Sequence, residues 1–293
     1  MITGADAIEP ADATLILGMP AATYHADPCP EPSLSSGVGK ILLSSARKAW
    51  LASPRLNPHY VPEHDTKFDA GTIAHALLLE GDESGIVVID ADDWRTKAAK
   101  EQRDQARAAG KTPILAHQIG TVRLMVEAAR RFIGESEIAE AWTEADSEVT
   151  IQWREGDVWC RCRLDRLSYD HRFAGDYKTT EDASPEAFPR TMANLRYAFQ
   201  AAFYARGVRA LGGADPAFVF LAQETEHPFD CALYGCDPGL RVIAEAQVEA
   251  AIDRWRECLR TKEWPGYGPR VRWVDAPVWL QREHEEMQAL GSR

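Results

Sequence analysis

The chain has 293 residues, 45% of them hydrophobic and 27% charged, enough apolar material for one large globular core without calling for two domains. Its 45 acidic against 33 basic residues leave a net charge of −12, which argues against a nucleic-acid partner unless Lys and Arg are clustered. No apolar run reaches about 18 residues and the N-terminus lacks a basic stretch followed by an apolar one, so membrane insertion and secretion are not indicated; a cytoplasmic protein with six reduced cysteines is expected.

In chain order, residues 1–30 are rich in Ala, Asp and Pro and read as loosely ordered. Leu34 to Ala52 reads as a helix, with Arg47 and Lys48 as candidate phosphate contacts beside a Trp50 turned to the core. Phe68 to Glu80, FDAGTIAHALLLE, is a second helix with Ile73, Ala74, Leu77 and Leu78 as its buried stripe. His75 sits at the stripe's edge, where a histidine is more often packed or solvated than a ligand. Gly71 lies one turn earlier; glycine inside a helix costs about 1 kcal/mol relative to alanine, a sign that something approaches the backbone. From Arg95 to Lys111 the six bases Arg95, Lys97, Lys100, Arg103, Arg107 and Lys111 meet only Glu101 and Asp104. That segment is either a basic helix or arm over DNA or a solvated surface helix. Thr112 to Ile133 reads as a longer helix.

Strands follow near Val149–Trp153, Val158–Arg166, Phe173–Thr179, Ala217–Ala222 and Asp230–Tyr234. Between Trp159 and Asp165 the residues alternate, with Cys160, Cys162 and Leu164 on an apolar face and Arg161, Arg163 and Asp165 on the other, so Asp165 leaves the core side. Asp176 and Lys178, two apart, share a face, and a hairpin of these two strands brings Asp165 and Asp176 together. A helix begins after Ser184 and Pro185 and is interrupted at Pro189. Asn194 to Ala210 is a helix with Leu195, Phe199, Ala202, Phe203 and Val208 as its core stripe; Gln200 and Tyr204, at i and i+4, share one side, which would equally serve as a polar rim. Gly239 to about Arg260 is a last long helix packed through Ile243, Val248, Ile252 and Leu259. The pattern predicts an α/β fold, a mixed sheet with helices on both faces.

Two carboxylates suit a hard cation such as Mg²⁺ or Mn²⁺ and a neighbouring lysine suits charge developing on a phosphate, which points to metal-dependent phosphodiester cleavage. The acid-x-Lys triplet alone is weak, since Asp65-Thr66-Lys67 is a second one and an ordinary charged hairpin would carry it too.

The ordered set Gly71-Thr72-Ile73-Ala74-His75, Cys162-Arg163-Leu164-Asp165, Asp176-Tyr177-Lys178-Thr179-Thr180 and Gln200 to Tyr204 resembles the PD-(D/E)XK nucleases of the RecB-like branch, above all the exonuclease VIII or RecE-type nuclease domain and its phage-encoded relatives. Tyr24-His25-Ala26, Pro32 to Ser36, Ala217 to Leu221 and Glu263-Trp264-Pro265 add to the likeness, which spans roughly residues 24 to 267. It implies a restriction-endonuclease-like core with helical N-terminal additions over residues 24–270, flanked by a loosely ordered segment 1–23 and an extension 271–293. It further implies that His75, Asp165 and Asp176 hold Mg²⁺, with Mn²⁺ substituting, that Lys178 is catalytic, and that Gln200 and Tyr204 position the site. Glu148 matches an acidic position of the relatives and is expected behind the ligands, or as a strand-edge charge. The activity implied is a processive 5′→3′ exonuclease on double-stranded DNA ends, working as a ring-shaped oligomer with a single-strand annealing protein in phage recombination. A related nuclease of other polarity, or a non-catalytic DNA-binding recombination protein, are the alternatives. Cys29, Cys231, Cys236 and Cys258 are too widely spaced for the iron–sulfur cluster of some relatives, and none is expected.

Overall fold

The computed structural model describes residues 13–61 and 69–291; the Asp65-Thr66-Lys67 triplet and Phe68 lie outside the described residues. A seven-stranded mixed sheet forms the centre. Strands β5 (Ala145–Glu155) and β6 (Val158–Ser168) pair antiparallel almost end to end. The next strand, β7 (Phe173–Thr180), touches β6 only at Arg166↔Gly175 and Leu167↔Ala174, then leaves it to run parallel with the whole of β8 (Ala217–Glu224). The hairpin expected from the sequence is therefore closed at its turn and open beyond it. Strand β9 (Cys231–Gly235) forms one edge and β1 (Ala13–Ile16) the other, while the short β2 (Leu34–Ser35) pairs in parallel with Cys160 and Arg161 of β6.

Helices cover both faces. On one, Cys160, Cys162 and Leu164 pack with Val149, Ile151 and Trp153 under α2 (Ser36–Leu42), α3 (Ala46–Leu51), α9 (Tyr197–Ala210) and α10 (Pro238–Thr261). On the other, Phe173, Tyr177 and Leu221 pack under α4 (Asp69–Leu79), α6 (Ala116–Glu135) and α7 (Ala139–Thr143). Short apolar stretches bounded by polar residues bury about 0.8 kcal/mol per methylene here, which outweighs their weak intrinsic preferences. Among the described residues no helix is long and apolar enough to cross a membrane.

Several element boundaries differ from the expectation. Leu34 to Ala52 is not one helix but β2, α2 and α3, because Ser35 and Ser45 each accept a hydrogen bond from a backbone N–H three residues on and cap a new start. Thr112–Leu115 is strand β4, paired in parallel with β3 (Ile86–Ile89), so the helix begins only at Ala116. Pro189 does not interrupt a helix; it occupies the first turn of α8 (Phe188–Asn194), where its missing N–H costs nothing. Leu195 follows that helix at 52% exposure and Ile243 is 57% exposed, so neither joins the core stripe assigned to it. The basic segment forms α5 (Lys97–Ala108), resting on β3 and β4 through buried Ala99 and Ala106.

Residues 1–12 lie outside the described residues; from residue 13 on, the N-terminal segment is more ordered than its composition suggests. Besides β1 and α1 (Ala21–His25), residues 19–33 cover the polar face of β6. Arg161 ion-pairs with Asp27 at 3.2 Å and donates to Ser33 Oγ at 2.6 Å, while Asp27 accepts from the Ser33 N–H and hydroxyl. Both faces of β6 are thus buried, so that Asp165, turned from the face of Cys160, Cys162 and Leu164 toward His75, is only 9% exposed. At the other end, residues 268–277 lead to α11 (Val278–Gly291), with Trp273 and Trp279 exposed.

Candidate active site

The site lies where β6 and β7 part. Beyond the Arg166↔Gly175 pair, the Asp165 carboxylate takes the place of a ladder partner and accepts the Tyr177 N–H at 2.8 Å. Opposite Asp165 in β5 stands Glu148, the one position that the ladder skips between Ser147↔Arg166 and Val149↔Leu164. Its φ of 56° is left-handed, a conformation that costs a side-chain-bearing residue roughly 1–2 kcal/mol. The irregularity breaks strict alternation: Leu164 and Leu167, three apart, pack in the same core cluster. Asp165 and Glu148 sit at this shift of phase, which is why both side chains can turn into the split.

Helix α4 brings His75 to them. Its Nε2 is 3.1 Å from Asp165 Oδ2 and its Nδ1 is 3.5 Å from Glu148 Oε1. The helix can approach because Gly71 has no side chain: a Cβ there would come within 3.0 Å of Thr179 Oγ1 on β7, so the close approach hinted at by that glycine is made by Thr179. Arg163, on the far side, ion-pairs with Glu148 and donates to the Met19 carbonyl. His75, Glu148 and Asp165 each offer a ligand atom within 4.8 Å of the other two. Glu148, expected behind the ligands, stands in this trio.

Asp176 stands outside it, on the other lip of the split. It is 1% exposed, and Gln200 of α9 donates its amide to Asp176 Oδ1 at 2.6 Å. Lys178 ion-pairs with Asp176 Oδ2, an oxygen that accepts no other hydrogen bond among the described residues. Tyr204, one turn after Gln200, is buried with its ring edge-on to Phe218 and makes no hydrogen bond to either carboxylate, so it supports α9 from within the core.

The charges in the split hold one another. Burial pushes the His75 imidazole down, but Asp165, Glu148 and Asp176 outweigh it and raise its pKa to about 9. Burial pushes Asp165 up, and the His75 and Lys178 charges reverse this, leaving it below the usual carboxylate range. For Asp176 burial wins; with the Asp165 charge added, its pKa is raised to about 6 against the opposing Lys178. Glu148 is raised by burial and by Asp165. Lys178, despite burial, is raised by Asp176 and Asp165 and is held as an ammonium. Carboxylate oxygens with one imidazole nitrogen, and a buried carboxylate oxygen met only by a lysine, are a donor set that fits a hard divalent cation.

Residues that the sequence reading passed over also converge here. Lys40 of α2 lies 3.4 Å from Gln200 Oε1, and the ammonium groups of Lys40 and Lys178 lie 5.5 and 5.3 Å from the centroid of the Tyr197 ring. A single lysine in the small, apolar helix SGVGKIL was the only signal for it. The candidate phosphate contacts are not drawn into the cluster. Arg95, Lys97 and Arg103 pair with Asp93, Glu101 and Asp104 next to them, and Lys100 shares the same helix. The Arg47 backbone N–H bonds to the Pro265 carbonyl, and Lys48 lies over the Tyr267 ring at 5.6 Å.

Comparison with known proteins agrees with this architecture. Residues 42–276 match the family described as "PDDEXK-like domain of unknown function (DUF3799)". The crystal structure of a protein from Eubacterium rectale named "Putative exonuclease" superposes with a TM-score of 0.59, at 12% identity, over 91% of this chain and 98% of that one. The structure of SSO0001, 14% identical over 65% of this chain and 87% of that one, has a TM-score of 0.27. No curated protein matches the chain.

Proposed function

Because the chain belongs to the PDDEXK-like domain family, we propose that the split between β6 and β7 is the active centre of a divalent-metal-dependent deoxyribonuclease. The observation that carries this reading is the buried Asp176–Lys178 pair, tied to Gln200 and set beside the trio of His75, Glu148 and Asp165. The trio, with Asp176 adjoining, holds Mg²⁺, for which Mn²⁺ substitutes. A bound divalent ion supplies an activated water and neutralises charge on the phosphate. Hydrolysis joins the water oxygen to phosphorus and breaks one P–O ester bond, and in the net reaction one proton of the water ends on the leaving oxygen. Lys178, its pKa raised despite burial by Asp176 and Asp165, donates hydrogen bonds to the attacking oxygen and to the charge growing on the phosphate. Gln200 fixes Asp176, and Tyr204 keeps α9 in place behind it.

The name borne by the Eubacterium rectale structure favours an exonuclease, and the resemblance of the motif order to RecE-type nucleases favours a processive 5′→3′ enzyme on double-stranded DNA ends, acting in the cytoplasm in phage recombination. A net charge of −12 with basic clusters at Arg47–Lys48 and Arg95–Arg103 suits a homo-oligomeric ring that keeps its acidic surface outward and passes the product strand to an annealing protein. Duplexes labelled at the 5′ or the 3′ end and incubated with Mg²⁺ test the reading. Early release of label as a mononucleotide from the 5′-labelled duplex alone is expected; early release from the 3′-labelled duplex alone reverses the polarity, and no release from either refutes the activity.

A further inference from the structure

Lys40 is a charge for which the site as described has no use. It is half-buried on α2, and among the described residues it forms no ion pair. Lys178, over the same Tyr197 ring, is balanced by Asp176; Lys40 has only the Gln200 carbonyl oxygen at 3.4 Å and the ring face. An ammonium withdrawn from water without an ion pair is costly, and the cost is visible: burial, then the Lys178 charge, lower the Lys40 pKa to about 8 against the opposing Asp176.

One bland role for such a lysine is to orient the Gln200 amide. The 2.6 Å bond from Gln200 to Asp176 already does that, and a 3.4 Å contact adds little to it. The placement of Lys40 is also rigid. Its neighbour Gly39 lies so close to α9 that a Cβ would come within 2.7 Å of Phe199 Cζ, so α2 has no slack against the helix that carries Gln200.

We propose that Lys40 is a phosphate-binding residue, its ammonium taking a non-bridging oxygen of the nucleic-acid phosphate next to the one held at Lys178. The assignment rests on the nuclease reading for its ligand class, a phosphate anion beside aromatic Tyr197. The anion supplies the missing ion-pair partner in a site already partly dry, where a charged hydrogen bond is strongest. Two sources share this chemistry: an internal phosphodiester and a terminal phosphate monoester.

The test uses Lys40→Met and Lys40→Arg with duplexes whose second linkage is either phosphate or neutral methylphosphonate. On phosphate DNA, Lys40→Met should lower kcat/KM by about 10- to 100-fold, the scale of one hydrogen bond to a charged group, chiefly through KM, and Lys40→Arg should recover most of it. The methylphosphonate should cost the wild type a similar factor and Lys40→Met nothing further. A loss in Lys40→Met confined to duplexes with a 5′-phosphate, and absent with a 5′-hydroxyl, assigns the monoester instead. Losses that multiply in Lys40→Met, or wild-type kinetics in that variant, overturn the proposal. Calorimetric titration with inorganic pyrophosphate reads the site without turnover, and keeps the two claims separate if the wild type cuts no DNA. Binding by wild type and Lys40→Arg but not by Lys40→Met supports the site; equal binding, or none, by all three overturns it.

Discussion

Gln200 and Asp176, on α9 and β7, are joined by a 2.6 Å hydrogen bond in which the amide donates to a fully buried carboxylate. The bond spans the side of the sheet opposite His75 and makes α9 part of the site. The Asp176 carboxyl it holds has its pKa raised to about 6 by burial and by Asp165, against the opposing Lys178.

Gln200→Glu replaces that donor by a second negative charge. Like charges disfavour ionisation, so the Asp176 pKa moves further up and the acid limb of the kcat–pH profile should move to higher pH with it. Gln200→Ala, which leaves Asp176 Oδ1 unpaired at a cost of about 1–3 kcal/mol, should lower kcat without that displacement. An unmoved acid limb in Gln200→Glu would mean that Asp176 is not the group whose ionisation limits the rate.

His75 gives the metal-free protein a stability that depends on pH. Its pKa in the fold is about 9 against an ordinary 6.5, so between these values the folded state binds more protons than the unfolded one. The stabilisation is complete below about pH 6.5 and is lost as pH rises through 9. Urea unfolding without metal should show stability falling across this window, and His75→Gln should flatten the fall. Because a ligating imidazole must be neutral, Mn²⁺ binding near pH 7.5 should release about one proton in buffers of differing ionisation enthalpy. No proton release would remove His75 from the ligand set.

Lys178→Ala separates chemistry from binding. Loss of one preorganised electrostatic stabiliser should lower single-turnover cleavage by about 10² or more while duplex affinity in Ca²⁺ stays near that of the wild type. Weaker binding with intact turnover would make Lys178 an ordinary phosphate contact.

The ion pairs on α5 are exposed, and such pairs are worth only about 0–1 kcal/mol, so DNA phosphates can compete with Glu101 and Asp104 for Lys97 and Arg103. If α5 tracks the backbone, neutralising Lys97, Lys100 and Arg103 together should flatten the salt dependence of binding by roughly 2 to 3 units. Cleavage at saturating DNA should not change. An unaltered slope would make α5 a solvated helix and move the DNA path to other arginines.

The chemistry of the site was more legible in the chain than its shape. Period-2 alternation located β6 and placed Asp176 with Lys178 on β7, because strands keep their side-chain phase. The same rule showed neither the shift of phase at the skipped pair of Glu148 nor that residues 19–33 cover the polar face of β6, for neither feature has a local pattern. Serine caps divided Leu34 to Ala52 because a side-chain hydrogen bond can restart a helix inside one apolar run. Lys40 could not be found by spacing, for its partners Tyr197 and Gln200 are 157 and 160 residues away in sequence and meet it only through the packing of Gly39 on Phe199.

The central claim is that the acids flanking the split are the metal-dependent cleavage centre. It is tested most directly by Mg²⁺-dependent hydrolysis of linear duplex DNA by the wild type, Asp165→Ala and Asp176→Ala, each checked for folding by its far-ultraviolet spectrum and thermal transition. The account predicts cleavage by the wild type that chelation abolishes, and none above background in either folded variant, since each change removes a carboxylate from the split. Cleavage by either variant within tenfold of the wild type, or wild-type cleavage that survives chelation, would contradict it.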